Sequence, residues 1–165
     1  MIKTVGFAAD GETYSNSEAG IEVTFPTFYE EASKEKEDKT IISLNCTYRN
    51  MIFLVSVFLF DDPIPEDEYA VKVAEDIVLT ADALKSKFKK KKLEPWSASG
   101  AENYGLKNRI KGKVPESNGG FSKCYGYNYI TISGGIEYRF TILTSRKSSF
   151  DKEIATNFIN SVKLL

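Results

Sequence analysis

The side chains best suited to chemistry are four cations that alternate along one segment. We call Lys107, Arg109, Lys111 and Lys113 the basic stripe. If the segment is a strand, the stripe projects from one face over about 20 Å, because a strand rises roughly 3.3 Å per residue. Such a stripe suits an acidic protein surface, nucleic-acid phosphates or anionic lipid heads. The alternative is a solvated face, or an edge strand that lysine protects against pairing with another sheet.

Aromatic residues with the same spacing follow shortly afterwards. Tyr125, Tyr127 and Tyr129, the tyrosine stripe, share one face of the next predicted strand. Exposed tyrosines anchor protein partners or stack on sugars and bases, whereas the structural alternative is a core stripe whose hydroxyls reach the edge. Trp96 stands in a predicted loop, either as a partner anchor or as a plug over the sheet edge. These four aromatic residues and the basic stripe are the candidate binding residues.

Acidic residues cluster immediately after the most apolar segment. The acidic turn comprises Asp61, Asp62, Glu66, Asp67 and Glu68. Carboxylates placed in this way can bind Ca²⁺ or Mg²⁺ or act as an acid–base pair, so a carboxylate- or metal-dependent enzyme centred on residues 61–68 is an alternative hypothesis. The spacing of a calcium-binding loop is absent, and we therefore assign no metal ligand here.

The composition excludes several classes of site. The chain has 165 residues and no histidine, so a Ser-His-Asp triad, a Cys-His pair and histidine-ligated zinc or haem are impossible. No glycine-rich phosphate loop is present. We assign no catalytic residue and no cofactor. With 22 basic and 23 acidic residues the net charge is −1, which supplies no overall field toward nucleic acid or an anionic membrane. A protein is the expected partner, and nucleic acid is not.

Cysteine usage and the first residues bear on the compartment. Cys46 and Cys124 lack Cys-x-x-Cys spacing and are expected to be buried free thiols. The first ten residues have too short an apolar run for a signal peptide, which predicts a cytoplasmic protein. The alternative is a periplasmic or envelope domain from which a signal has been removed. Such a domain would have a Cys46–Cys124 disulfide and would act in ligand binding or as a structural module.

Hydrophobic periodicity gives the element order ββββ-α-βββ-α. Residues 30–40 are rich in charge and are expected to form a loop or a short surface helix, and Ser148 and Ser149 are candidate caps of the second helix. The predicted strands cover residues 1–9, 21–25, 41–48, 51–60, 104–114, 121–133 and 136–145, and the predicted helices cover 66–91 and 150–162.

The segment 51–60 is apolar at almost every position, so as a strand it needs cover on both faces. This pattern predicts one α+β domain over residues 1–165, with a mostly antiparallel sheet and helices on both faces. This ten-residue segment is too short for a membrane-spanning helix, which needs about 20 residues.

Three segments resemble the PsbP-like superfamily, which includes many bacterial domains of unknown function. They are the strand and Pro-aromatic sequence at residues 23–28, the hairpin at residues 134–140, and the closing helix at residues 150–164. The resemblance implies an α/β/α sandwich and a non-enzymatic binding or assembly module. The metal-binding histidines of some members have no counterpart in this chain.

Overall fold

The computed structural model describes residues 11–86, 93–100 and 104–165. The strand predicted at residues 1–9 lies outside these ranges. In chain order the elements are β1 (Glu12–Asn16), β2 (Ile21–Phe25), β3 (Glu30–Glu35), β4 (Lys39–Tyr48), β5 (Met51–Phe60), α1 (Tyr69–Ala83), β6 (Glu94–Pro95), β7 (Ser99–Gly100), β8 (Tyr104–Pro115), β9 (Phe121–Ser133), β10 (Ile136–Thr144), α2 (Lys152–Asn160) and β11 (Lys163–Leu164).

The strands form two sheets. The large sheet has the order β3-β4-β5-β10-β9-β8-β6, and all its neighbouring strands are antiparallel. The small sheet has the order β1-β2-β11-β7, in which β11 and β7 are parallel. Neither β1 nor the second sheet is predicted by the sequence, because β1 is a short polar segment and β7 and β11 have only two residues each.

Two tight turns set the register of the large sheet. Arg49 and Asn50, between β4 and β5, have φ values of 50° and 65°, and Gly134 and Gly135, between β9 and β10, have 60° and 80°. Positive φ at both central residues is typical of the turn whose twist matches an antiparallel hairpin. Both predicted hairpins are therefore confirmed.

The main core lies between the small sheet and one face of the large sheet, which we call the inner face. Phe158 of α2 contacts Phe25 of the small sheet and Phe53 of the large sheet, with ring centroids 5.3 and 5.0 Å apart. All three rings are fully buried. Truncating a buried Phe to Ala typically costs about 3–5 kcal/mol, so this contact is a principal link between the two sheets.

Among the described residues, α1 covers the opposite, outer face of the large sheet above β8 and β9. Val73 and Ile77 pack there against Ile130 and Ile132. Farther along the same face, Ile52 of β5 remains 43% exposed. The α+β class and the mostly antiparallel sheet are confirmed, whereas helices covering both faces are not. None of the helices in the described residues is long and apolar enough to cross a membrane.

Three local predictions are wrong. The charged segment 30–40 is neither a loop nor a helix: its first six residues form strand β3 and its last two begin β4, because the edge of β4 offers β3 backbone hydrogen-bond partners that outweigh its composition. Helix α1 ends at Ala83, where Lys85 adopts a φ of 51° and the Leu84 carbonyl accepts a hydrogen bond from Lys113 N. The cap of α2 is Asp151, whose carboxylate accepts from Ile154 N at 3.1 Å.

Candidate anion-binding pocket

The basic and tyrosine stripes lie side by side on the inner face. In the antiparallel register of β8 and β9, Lys107 lies opposite Tyr129, Arg109 opposite Tyr127, and Lys111 opposite Tyr125. Because both strands alternate with period two, this one register places all six side chains on the same face. The last stripe residue, Lys113, lies opposite Lys123, so the positive charge continues toward the end of the hairpin.

Part of the tyrosine stripe is core. Tyr129 is only 4% exposed, and burial raises the pKa of its hydroxyl far above the ordinary value. The half-buried Trp96 packs edge-on against Tyr129 and against Phe140, with centroids 5.2 and 5.6 Å apart. Trp96 thus packs over the sheet, as the structural alternative for this residue predicted. Tyr125 and Tyr127 are half-buried and retain surface for a ligand.

The half-buried tyrosines form one side of a cavity of about 340 Å³, which we call the basic pocket. Its cations come from two regions of the chain: Arg109 and Lys111 from β8, and Lys147 and Lys152 from the segment that leads into α2. The Phe150 ring completes the wall and contacts Tyr127, with centroids 5.6 Å apart.

The carboxylates of the described residues do not neutralise the cations of the basic pocket. Among the residues that the structure describes, no carboxylate lies within ion-pair distance of Arg109, Lys111, Lys147 or Lys152. Lys152 is also the first residue of α2, where the helix macrodipole disfavours a positive charge. Helix stability therefore does not explain its position, and an anionic ligand would reduce the repulsion between these charges.

Lys147 and Lys152 are the members of the pocket that the sequence did not reveal. They follow no period shared with the basic stripe, and only the packing of the α2 segment beside β9 brings them to it. The one available signal is the density of basic residues in the stretch from Arg146 to Lys152.

A second charged group, which the sequence also did not predict, lies between α1 and the outer face of the large sheet. The buried charge cluster consists of Lys72 and Asp76 of α1 and Glu137 and Arg139 of β10. Asp76 Oδ2 lies 2.9 Å from Lys72 Nζ and 3.4 Å from Arg139 Nη2. Glu137 is fully buried; its Oε2 accepts from Arg139 Nε at 2.7 Å, and its Oε1 forms a looser ion pair with Lys72 Nζ at 3.3 Å.

The two carboxyls of this cluster are shifted in opposite directions. Burial, helped by the hydrogen bond with Asp76, raises the pKa of Glu137. Burial acts in the same sense on Asp76, but its hydrogen bonds with Glu137 and Lys72 and the charge of Arg139 hold the pKa of Asp76 below the ordinary value. The cluster is closed by aromatic rings, since Lys72 Nζ lies 5.4 Å from the Phe60 centroid and Arg139 Cζ lies 4.3 Å from that of Phe58. This arrangement stabilises the contact of α1 with the sheet.

The acidic turn does not assemble into a comparable site. Its five carboxylates are all exposed, and Glu66–Glu68 form a 3-10 turn that leads into α1. Within residues 11–86, 93–100 and 104–165, no three acidic, cysteine or histidine side chains converge as metal ligands.

Cys46 and Cys124 are buried on opposite faces of the large sheet and do not form a disulfide with each other. Cys46 belongs to the main core, and Cys124 packs with Ile110 and Leu143 on the outer face. The structure therefore has no Cys46–Cys124 disulfide. Burial raises the pKa of the Cys124 thiol.

Comparison with known proteins identifies a fold but no family. No protein-family model matches the chain, and no curated protein is significantly similar to it. The chain is similar in structure to a crystal structure from Bacteroides thetaiotaomicron VPI-5482, with a TM-score of 0.54 and 11% sequence identity. The match covers 94% of this chain and 49% of the other, so the chain spans about half of that protein. This likeness concerns the fold alone.

Proposed function

We propose that this domain is a non-enzymatic binding module that holds an acidic segment of a protein partner in the basic pocket. The observation that carries the proposal is the convergence of Arg109, Lys111, Lys147 and Lys152 around one cavity without a described carboxylate partner. Two opposite charges 4 Å apart attract by about 4 kcal/mol at the effective dielectric constant of a protein surface. Several carboxylates of one partner segment would therefore gain from entering together.

The aromatic rings favour a peptide over a nucleic acid. Single-stranded nucleic acids bind by stacking bases on open aromatic faces. The Tyr127 ring already carries Lys107 Nζ at 4.5 Å and contacts Phe150, and Tyr129 is buried. The Tyr127 and Tyr129 rings thus leave little open face for a base, and Tyr125 offers a single half-buried ring. A carboxylate needs only the cations.

Fluorescence anisotropy with a labelled Glu/Asp-rich peptide tests this proposal, with single-stranded DNA of the same length as competitor. We expect peptide binding that weakens as salt screens the charges. Arg109→Glu/Lys111→Glu should weaken it by at least about tenfold, or about 1.4 kcal/mol. The matched control is Lys34→Glu/Lys36→Glu, which makes the same change of charge on exposed residues at the other edge of the large sheet.

Two other outcomes of this experiment would contradict the proposal. Equal loss of binding in both double variants would mean that only net charge matters, and the pocket proposal would fail. Tighter binding of the DNA than of the peptide would replace the protein partner with a nucleic acid.

We also propose a fold family and a cellular compartment for this chain. We infer a PsbP-like α/β/α sandwich, supported by α2 on the inner face and α1 on part of the outer face. We also infer a cytoplasmic location, supported by the burial of Cys46 and Cys124 on opposite faces of the large sheet, where they do not bond to each other.

A further inference from the structure

The rings that line the basic pocket differ in how far other residues already occupy them. The Tyr127 ring carries Lys107 Nζ at 4.5 Å and meets the Phe150 ring at 5.6 Å. Tyr125 lines the same pocket. Within residues 11–86, 93–100 and 104–165, its ring contacts no second ring and lies under no ammonium or guanidinium group. Tyr125 is therefore the ring of the basic pocket that is left for a ligand.

The position of Tyr125 is not explained by the hydrophobic core. Tyr125 belongs to none of the three apolar clusters that the described residues form, whereas Tyr127 and Phe150 pack against the main core. The neighbour of Tyr125 on β8 is Lys111, directly opposite in the register. Arg109 follows on the same face, about 7 Å along the strand. A large ring is thus placed among cations without a structural task in the core.

The basic pocket has more room than carboxylates alone would fill. Its volume of about 340 Å³ corresponds to about eleven water molecules at about 30 Å³ each. The four cations of the pocket are exposed, whereas the Tyr125 and Phe150 rings are half-buried. Carboxylates that pair with the exposed cations therefore leave water against the two rings. An apolar side chain in the same segment would displace that water, which is favourable in proportion to the apolar area that it covers.

We propose that the partner segment carries an aromatic residue between its acidic residues, and that this residue packs on the Tyr125 ring. The inference rests on the proposed function, because the carboxylates bring the segment to the basic pocket. A ring suits this place better than an aliphatic side chain for two reasons. Aromatic pairs attract each other beyond the area that they bury. Cations also attract the face of a ring, as the Lys107 ammonium over Tyr127 already shows in this domain.

Three labelled peptides of equal charge test the inference on the wild-type protein. They share one Glu/Asp-rich sequence and have Phe, Leu or Gly at the central position. Anisotropy should show that the Phe peptide binds about two- to tenfold more tightly than the Gly peptide, with the Leu peptide between them. Salt should weaken the binding of all three peptides, but the ratio of the Phe to the Gly affinity should persist, because contact between rings is not screened.

Substitutions of Tyr125 assign the preference to its ring. Tyr125→Leu should lower the affinity for the Phe peptide to about that for the Leu peptide, and should change the affinity for the Gly peptide by less than about twofold. Tyr125→Phe should bind all three peptides as the wild type does. The matched control is Tyr104→Leu, because Tyr104 is a 41% exposed tyrosine of the same strand as the basic stripe. The alternation of β8 places it on the outer face, so the control should keep the full preference for Phe.

The outcomes separate this inference from the proposed function. Equal affinities of the three peptides for the wild type would overturn the aromatic residue and leave the acidic segment as the partner. Binding of none of them would overturn both. A preference for Phe that survives in Tyr125→Leu would also overturn the inference. The same holds if adenosine triphosphate displaces the labelled Phe peptide at a lower concentration than the unlabelled Phe peptide does, because the ring would then serve a nucleotide base.

Discussion

The Lys107 ammonium lies over the ring of Tyr127, with Nζ 4.5 Å from the ring centroid. Lys107 Nζ also lies 3.9 Å from the exposed Glu94 carboxylate. Unlike its neighbours in the basic stripe, Lys107 is thus held by groups of the domain itself. The cations left for a ligand are those of the basic pocket. The Tyr127 ring contacts Lys107 and also lines that pocket.

Two substitutions of Tyr127 distinguish the role of its ring from the role of its hydroxyl. Tyr127→Phe keeps the cation–π contact and should bind the acidic peptide as the wild type does. Tyr127→Leu removes the ring from Lys107 and Phe150, and a contact of this kind contributes about 0.5–1 kcal/mol. We therefore expect peptide affinity about two- to fivefold lower, measured by anisotropy. Equal affinities of all three proteins would show that the ring does not shape the pocket.

The buried charge cluster should respond unequally to neutralisation of its two acids. Asp76→Asn leaves Lys72 without its closest partner and removes one of the two carboxylates that Arg139 contacts, and breaking a buried pair costs about 3–5 kcal/mol. Glu137→Gln should cost less, about 1 kcal/mol, because burial already favours the neutral form of Glu137 and the amide oxygen can still accept from Arg139. Urea unfolding of both variants measures this order. A larger loss in Glu137→Gln would contradict the assignment.

The same acids predict how stability depends on pH. The folded pKa of Asp76 is below its unfolded value of about 3.9, so its contribution is present above that pH and is lost as the pH falls through the folded pKa. The folded pKa of Glu137 is raised above about 4.3, so the folded state loses stability as the pH rises from there through the folded value. Between about pH 4 and pH 8, the free energy of unfolding should decrease less with rising pH for Glu137→Gln than for the wild type. Parallel curves would refute the shift.

The thiols should be reduced and slow to react. Because the thiolate is the reactive form, burial and the raised pKa of Cys124 protect it in the folded protein. A thiol reagent should react slowly under native conditions and should titrate both cysteines in denaturant without prior reduction. Loss of both thiols in the unreduced, unfolded protein would indicate a disulfide, and with it a different arrangement of β4 and β9.

Period-two patterns made β4, β5, β8, β9 and β10 of the large sheet predictable. The alternation in β8 and β9 fixed which side chains share a face, and the positive-φ pairs Arg49-Asn50 and Gly134-Gly135 fixed two hairpins. The basic stripe and the tyrosine stripe were therefore found as separate candidates. Their contact depends only on the β8–β9 register, which two regular strands restrict to few choices.

What the sequence could not predict depends on distant contacts. The parallel pairing of β7 with β11 joins residues about sixty positions apart through two-residue strands that have no period. Lys147 reaches the basic pocket only because α2 packs on the inner face. Glu137 resembles any outward polar residue of a strand, and its burial follows from the position of α1. Local patterns carry no information about such placements.

Amide chemical shifts of the labelled protein, followed during titration with the Glu/Asp-rich peptide, show directly whether the peptide occupies the basic pocket. The largest changes should occur at Arg109, Lys111, Tyr125, Lys147 and Lys152, and they should disappear in Arg109→Glu/Lys111→Glu. Saturation with the changes concentrated elsewhere, or no change at all at millimolar peptide, would contradict the basic pocket as the binding site of this domain.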